Sequence, residues 1–335
     1  MPTRDIIVVG ASAGGVGALQ RLCAGLPEDL PAAIFVVQHL SPSARSVLPH
    51  LLDKMGPLRA LSPVDRQEIE RGRIYVAAPD QHLLLRPGRI LMRRGPHENR
   101  TRPAINALFR SAAIHYGSRT IGAVLTGLLD DGTDGLLAIK ATGGVSIVQD
   151  PADAEWPSMP RNALKRDHVD HVVPLDQLPA LLMQLVHEEV AASIPIPREY
   201  LIEDRIAAQE FAVAEPEIVA PGDPSHLSCP DCGGVLNCIV SDGEVRFRCQ
   251  VGHAFTPLGL AAAQCDELER ALSVAVRTHR DRLKLFEQML ENAVARGMTH
   301  AARRWSEASE ESGRLISALE DAMISLRKSF GEGEA

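Results

Sequence analysis

The chain lacks a hydrophobic run long enough to cross a bilayer, and its first residues, MPTRDIIVV, lack the apolar segment of a secretory signal. Membrane insertion is therefore not expected, and the cytoplasm is the expected compartment. It also lacks a basic excess, with 35 Lys and Arg against 43 Asp and Glu and a formal net charge of -8. Phosphate backbones call for a cationic footprint, so nucleic acid is not an expected partner. A third absence is a single glycine. The segment IIVVGASAGGVGALQ, residues 6–20, passes from a β-rich run into a helix as dinucleotide-binding turns do, yet Ser12 stands where the second glycine of Gly-x-Gly-x-x-Gly belongs. No acidic residue closes the second strand either, which sets a nicotinamide oxidoreductase aside.

What is present is ordinary for a soluble globular chain: 335 residues, 45% hydrophobic and 23% charged, enough for more than one domain. Up to about residue 190, short β-branched runs (DIIVVG, AAIFVVQ, RIYVAA, TIGAVLT, GVSIVQ, HVVPL) alternate with amphipathic stretches. That alternation predicts an α/β fold with a doubly wound, mostly parallel sheet. HLLLRPGRILMRRG reads instead as a hairpin around Pro-Gly. Residues 191–226 are rich in Pro and Glu and are expected to be a linker. A cysteine cluster follows at 227–257, and then apolar residues at three- and four-residue spacing over 258–330, broken at Gly297, predict a helical hairpin.

The frame Gly10-Ala11-Ser12-Ala13-Gly14 satisfies Gly-x-Ser-x-Gly, a strand-to-helix turn that presents a serine hydroxyl at the carboxyl end of a sheet. Taken alone, Ser12 is equally a helix cap or a small turn residue. A nucleophilic serine needs a base, and the base needs an acid to orient it. His39 ends the run IFVVQH, and Asp131 lies in VLTGLLDDGTDG just past another strand. Loops at the carboxyl ends of a parallel sheet share one crevice, where Ser12, His39 and Asp131 can converge. Asp130 is the rival acid, and the two aspartates before Gly132 would also suit a plain Asp-Gly turn.

The segments VVGASAGG, VVQHL, IYVAAPDQHLLL, NRTRPAINALF, AVLTGLLDDGTDGL and MPRNAL occur in one order over about residues 3–188. In this the chain resembles the chemotaxis receptor methylesterases, the CheB-type catalytic domain. The resemblance implies hydrolysis of γ-glutamyl methyl esters on the cytoplasmic helices of chemoreceptors, with deamidation of receptor glutamines in some members. It marks Ser12 as nucleophile, His39 as general base and acid, and Asp131, immediately before the glycine, as the residue that orients His39. Relatives often read Thr-Gly-Met-Gly-x-Asp-Gly where this chain has Thr126-Gly127-Leu128-Leu129-Asp130-Asp131-Gly132. Backbone N–H groups near Ala13 and in the loop from Thr126 to Leu129 are the expected oxyanion donors. Arg102, Arg161 and Thr126 are candidates for substrate binding, with intramolecular salt bridges as the alternative for the two arginines. No cofactor is expected for catalysis. The phosphoacceptor domain that precedes this catalytic domain in many relatives is not expected here, so control is assigned to the C-terminal half, and truncation near residue 190 should leave a folded esterase.

Four of the six cysteines fall at 229, 232, 238 and 249. Cys229-Pro-Asp-Cys232 and Cys249-Gln-Val-Gly-His253 approach zinc-ribbon spacing and offer three thiolates and one imidazole to a structural zinc. The alternative is a metal-free mini-domain of reduced cysteines, with Cys238 a spare in either case. A different class of function is also open: an adaptor that keeps the hydrolase domain for binding and recruits a signalling partner through its C-terminal helices. An intact Ser-His-Asp set favours the enzyme.

Overall fold

The computed structural model describes residues 3–41, 47–166, 169–192, 194–210, 222–241 and 244–331. They divide into two compact units, residues 1–260 and 261–335. The first is built on seven strands: β1 (Ile6–Ala11), β2 (Ala33–Gln38), β3 (Arg59–Leu61), β4 (Arg73–Val76), β7 (Thr120–Val124), β8 (Val145–Gln149) and β9 (His171–Val173). They lie in the order β3-β4-β2-β1-β7-β8-β9, with every pairing parallel. The intervening hairpin, β5 (His82–Arg86) and β6 (Arg89–Arg93), forms a separate antiparallel pair.

A strand covered on both faces must be apolar at consecutive positions, and β1 is. Ile7, Val9 and Ala11 pack on one side with Leu19 and Leu22 of α1 (Gly15–Gly25) and Leu182 of α6 (Leu178–Val186). Ile6 and Val8 face the other way, toward Ile105 and Phe109 of α3 (Ile105–Tyr116) and Leu136 of α4 (Thr133–Ala141). Two further helices in this stretch are α2 (Leu48–Met55) and α5 (Ser158–Arg166). Because β1 pairs with β2 on one side and β7 on the other, the strand order reverses at its carboxyl end. That reversal opens the crevice where sites form in such sheets.

The stretch at 191–226 differs from the expected linker. It holds α7 (Arg198–Ala208), whose Ala207 and Ala208 are buried with Leu84 and Leu91 of the hairpin and Ala104 and Ala107. Its acidic composition concealed it, because Glu203 and Asp204 are buried in ion pairs rather than solvated. Residues 211–221 of that stretch lie outside the described residues. The cysteine segment forms an antiparallel sheet of β10 (Asp223–Ser228), β11 (Val235–Ser241), β12 (Glu244–Cys249) and β13 (Ala254–Phe255), and it belongs to the first compact unit.

Two long helices end the chain, α8 (Pro257–Ala295), which runs into the second unit, and α9 (Thr299–Gly331), with the break at Gly297. Within the second unit Phe286 stacks on Trp305 at 5.6 Å, and Arg280 pairs with Glu320 at 2.6 Å. The seam largely follows the expected spacing, with Leu272, Leu283, Phe286, Leu290, Leu319 and Leu326 half-buried, but with exceptions. Leu268, Val294 and Leu315 are exposed, whereas Val276, Ala293 and Ser312 are buried.

Candidate active site

Ser12 follows β1 directly, and its N–H donates to the carbonyl of Thr126, 3.0 Å away past the end of β7. His39 follows β2, its N–H bonded to Ala11 O at 3.1 Å. The Gln38 side-chain amide then donates to both Ser12 O and His39 O, at 2.7 and 3.0 Å. Three strand ends are thus laced together before the side chains of Ser12, His39 and Asp131 are considered. His39 Nδ1 lies 3.2 Å from Ser12 Oγ, and its Nε2 lies 2.8 Å from Asp131 Oδ2. The three residues that the sequence singled out meet in one relay.

Asp131 is held from three sides. Oδ2 also accepts the N–H of Ile105 at 2.7 Å, and Oδ1 accepts those of Asn106 at 3.1 Å and Gly132 at 3.0 Å. The first two donors are the free N–H groups that open α3, where a carboxylate is favoured. Burial alone would raise the Asp131 carboxyl, but the hydrogen bond and charge of His39 and these N–H groups outweigh it and hold it below the usual range. An ionised Asp131 surrounded by donors fixes the imidazole: Nε2 carries the proton, and the Nδ1 lone pair faces Ser12.

Asp130 points elsewhere. It is 4% exposed, and its Oδ1 accepts the hydroxyl of Thr256 at 2.9 Å. Burial pushes its carboxyl up to about 6, with Asp134 and Asp131 adding to the rise against Thr256 and Arg166.

The N–H groups of Ala13 and Gly14 donate to nothing among the described residues and sit at the N-terminal end of α1. In the loop after β7, Thr126 N is given to Gln149 Oε1 at 2.9 Å and Gly127 N to Trp156 O at 2.9 Å, which leaves those of Leu128 and Leu129. Gly127 is tightly confined. A Cβ there would stand 2.9 Å from Ser12 Cβ and 2.6 Å from Met159 Cε.

The three substrate-binding candidates fare differently. Thr126 is 1% exposed, with its hydroxyl donated to Ala13 O at 3.0 Å and accepting from Trp156 N at 2.8 Å. It shapes the site floor instead of presenting a group. Arg102 is engaged by Asp80 through Nε at 2.8 Å and by Gly95 O at 2.7 Å, the intramolecular alternative. Arg161 is exposed on α5, with no ion pair among the described residues. A cleft of about 330 Å³ lined by Asp130, Asn162, Lys165, Arg166, Pro257 and Leu258 opens beside the loop that carries Asp131. Sequence reasoning missed Asn106, whose Oδ1 accepts Gly132 N and Gly135 N, and Asn162, whose amide holds Leu129 O at 2.8 Å. Both lie in segments already singled out, NRTRPAINALF and MPRNAL, but side-chain amides carry no spacing rule that would mark them.

The ribbon brings Cys229, Cys232, Cys249 and His253 together, all ligand atoms within 4.8 Å of one another. His253 Nδ1 is 3.6 Å from both Cys229 Sγ and Cys249 Sγ, and Cys232 Sγ is 3.7 Å from Cys249 Sγ. Tetrahedral zinc, with Zn–S of about 2.3 Å and Zn–N of about 2.0–2.1 Å, sets such edges at about 3.7 Å between sulfurs and about 3.5 Å from sulfur to nitrogen. The donor set fits zinc. Asp231 and His97 lie close to His253, and the His97 ring stacks on its imidazole at 5.8 Å.

Comparison with known proteins agrees with this geometry. The family described as CheB methylesterase matches residues 7–182. A Leptospira interrogans protein named protein-glutamate methylesterase/protein-glutamine glutaminase is 35% identical over 182 residues, which is 54% of this chain and 94% of that protein. A protein of the same name from Methanosarcina acetivorans is 36% identical over 191 residues, 55% of this chain and 54% of its own length. The crystal structure of the Thermotoga maritima CheB methylesterase catalytic domain superposes with a TM-score of 0.53 at 32% identity, covering 55% of this chain and all of that one. With an α/β sheet of that kind and a match over more than half its length, the chain belongs to the CheB methylesterase family.

Proposed function

We propose that this chain is a serine hydrolase that removes methyl groups from glutamate methyl esters on the cytoplasmic helices of chemoreceptors, and that it also deamidates receptor glutamines. The observation that carries the reading is the continuous relay from Ser12 Oγ through His39 to Asp131. As Oγ attacks the ester carbonyl carbon, Nδ1 of His39 takes its proton, and the imidazolium that forms is stabilised through Nε2 by the buried Asp131. The carbonyl oxygen becomes an oxyanion facing the N–H groups of Ala13 and Gly14 at the start of α1. Collapse returns the proton to the leaving methoxide, and methanol departs. Water then gives its proton to His39, attacks the acyl-enzyme and frees the glutamate carboxylate. An amide follows the same path with ammonia leaving.

The receptor helix is met by the cationic side of α5, where Arg161 and Lys165 are exposed beside the loop that carries Asp131. Zinc held by Cys229, Cys232, Cys249 and His253 is structural, since four protein ligands complete its tetrahedron. The enzyme works in the cytoplasm, and among its described residues no helix is long and apolar enough to cross a membrane. Exposed Leu268, Val294 and Leu315 make the C-terminal hairpin the element assigned to a signalling partner. The test is methanol release from methylated receptor: Ser12→Ala and His39→Ala should each abolish nearly all of it while the fold stays intact. Near wild-type release from either variant would refute the relay.

A further inference from the structure

The family match ends at residue 182, yet a residue far beyond it reaches the catalytic loop. We propose that Thr256, supplied by the metal ribbon, is a positioning residue for the esterase, and that the zinc-held knuckle keeps it in place. The inference rests on the esterase reading above.

Three contacts lead from the ribbon to the groups that hold Asp131. The most direct is the hydroxyl of Thr256, which donates to Asp130 Oδ1 at 2.9 Å, 126 residues away along the chain and one residue before the catalytic acid. Thr256 is fixed from below, since its N–H donates to Asn99 Oδ1 at 2.9 Å, while Asn99 N donates to Ala254 O at 2.8 Å and Ala254 N to His97 O at 3.1 Å. This edge therefore accepts and donates like a short added strand.

A second contact runs through the knuckle itself. Gly252 lies between two metal ligands with φ +102, and a Cβ there would stand 2.7 Å from Pro96 Cγ and 3.1 Å from Ile206 Cγ2. Only glycine fits this approach in this conformation. The carbonyl of Pro96 accepts Nε2–H of His82 at 2.8 Å, and Nδ1 of His82 accepts the N–H of Ala104 at 3.2 Å. Ala104 caps α3, whose next two N–H groups grip Asp131.

The third contact is electrostatic. Arg246 and Arg248 of β12 reach Glu203 of α7 at 3.2 and 3.5 Å, and Glu203 pairs at 3.0 Å with Arg110 of α3, which also pairs with Glu98. All are buried or nearly so, which makes the arrangement costly to break. Asp130 and α3 are thus both braced by the segment from Arg246 to Thr256, the segment that carries two of the four metal ligands.

No atom of the ribbon need touch the ester for this to matter. A carboxylate moved by a fraction of an ångström no longer orients His39, and misplacements of about 1 Å cost about 100-fold in rate. The test uses the full chain with Thr256→Val, which keeps volume and removes the hydroxyl, Thr256→Ser, which restores it, and Asp130→Ala. The last removes the acceptor while leaving intact the cap in which Gly259 N donates to Thr256 Oγ1 at 2.9 Å. Thr256→Val should lower kcat for methanol release by about 10- to 100-fold with KM within about twofold, and zinc content unchanged. Thr256→Ser should recover most of the rate. Asp130→Ala should fall as far as Thr256→Val, with no further loss in the double variant.

A second readout is the rate at which a fluorophosphonate labels Ser12, which reports activation of the nucleophile whatever the natural ester is. If wild type labels rapidly but releases no methanol, the substrate reading fails, and labelling of the variants still decides the role of Thr256. Unchanged kcat and labelling in Thr256→Val, or an effect on KM alone, would overturn the proposal. Chelator-stripped protein should label slowly and recover when zinc alone is returned. Full-rate labelling without metal would overturn the part assigned to zinc.

Discussion

Replacing Asp131 by Asn forces a choice on the buried side chain that the structure allows to be costed. In the native protein both oxygens accept, Oδ2 from His39 Nε2 and Ile105 N, Oδ1 from Asn106 N and Gly132 N. An amide has one acceptor and one donor end. With the oxygen toward His39, the NH2 group opposes two buried N–H donors. With the NH2 toward His39, it opposes one, Ile105 N, and drives the imidazole into the tautomer with its proton on Nδ1. That proton then faces Ser12 and the base is lost. Each buried donor left unpaired costs about 1–3 kcal/mol, so the second orientation wins by about that amount. The active tautomer falls to about a tenth to a hundredth of molecules. Loss of the negative charge beside the developing imidazolium removes about one to two further powers of ten. The expected drop in kcat is about 10²- to 10⁴-fold, with stability lower by about 1–3 kcal/mol for the remaining mismatch. Methanol release at saturating receptor, alongside urea denaturation, measures both. Activity above about a tenth of wild type, or a larger loss in Asp130→Asn, would refute this account of which carboxylate serves His39.

Asp130→Asn should change the pH dependence of stability instead. Because the folded protein raises this carboxyl to about 6, native Asp130 retains a proton that the unfolded chain has released, and wild-type stability falls as pH rises from about 4 to about 6. The variant should gain on wild type by about 2 kcal/mol between pH 4.5 and 7.5, read from urea midpoints at those two values. Equal pH slopes would contradict the burial argument. Cys249→Ser should lose zinc and lower the melting temperature, whereas Cys238→Ser should keep one zinc per chain, both seen by metal analysis; zinc-free wild type prepared without chelator would favour reduced cysteines. Glu203→Gln should destabilise the first unit by about 3–5 kcal/mol, since Glu203, held down at about 2 by Arg246, Arg248 and Arg110 against its burial, leaves three guanidiniums without their shared anion. A loss under about 1 kcal/mol in denaturant would mean the charges reach water.

The sheet and the relay were legible in the sequence for a shared reason. β-branched runs that end in Ser12, in His39 and just before the Asp131 loop place those residues at one edge whenever the strands are parallel. Asp131 could be chosen over its neighbour as the partner of His39 only through the family motif, because two adjacent carboxylates look alike until α3 supplies N–H donors to one of them. The brace from the ribbon was not legible. Glu203, Arg246 and Arg248 read as solvated charges in a polar segment, and only burial reveals that they face one another. Asn99 and Thr256, 157 residues apart, carry no periodicity that would pair them.

The relay also sets when this enzyme can first act. Ser12 and His39 are 27 residues apart and lie on neighbouring strands, but the carboxylate that orients the base comes 92 residues after the histidine, and the threonine braced against its loop 126 residues after that aspartate's neighbour. During synthesis the serine and histidine can meet early, on β1 and β2, with a base free to turn either nitrogen outward. Pairing of β7 against β1 is a long-range event that pays its loop entropy late. A nascent chain that has formed only β1 and β2 therefore holds the serine and the imidazole without the carboxylate that fixes which nitrogen faces the hydroxyl.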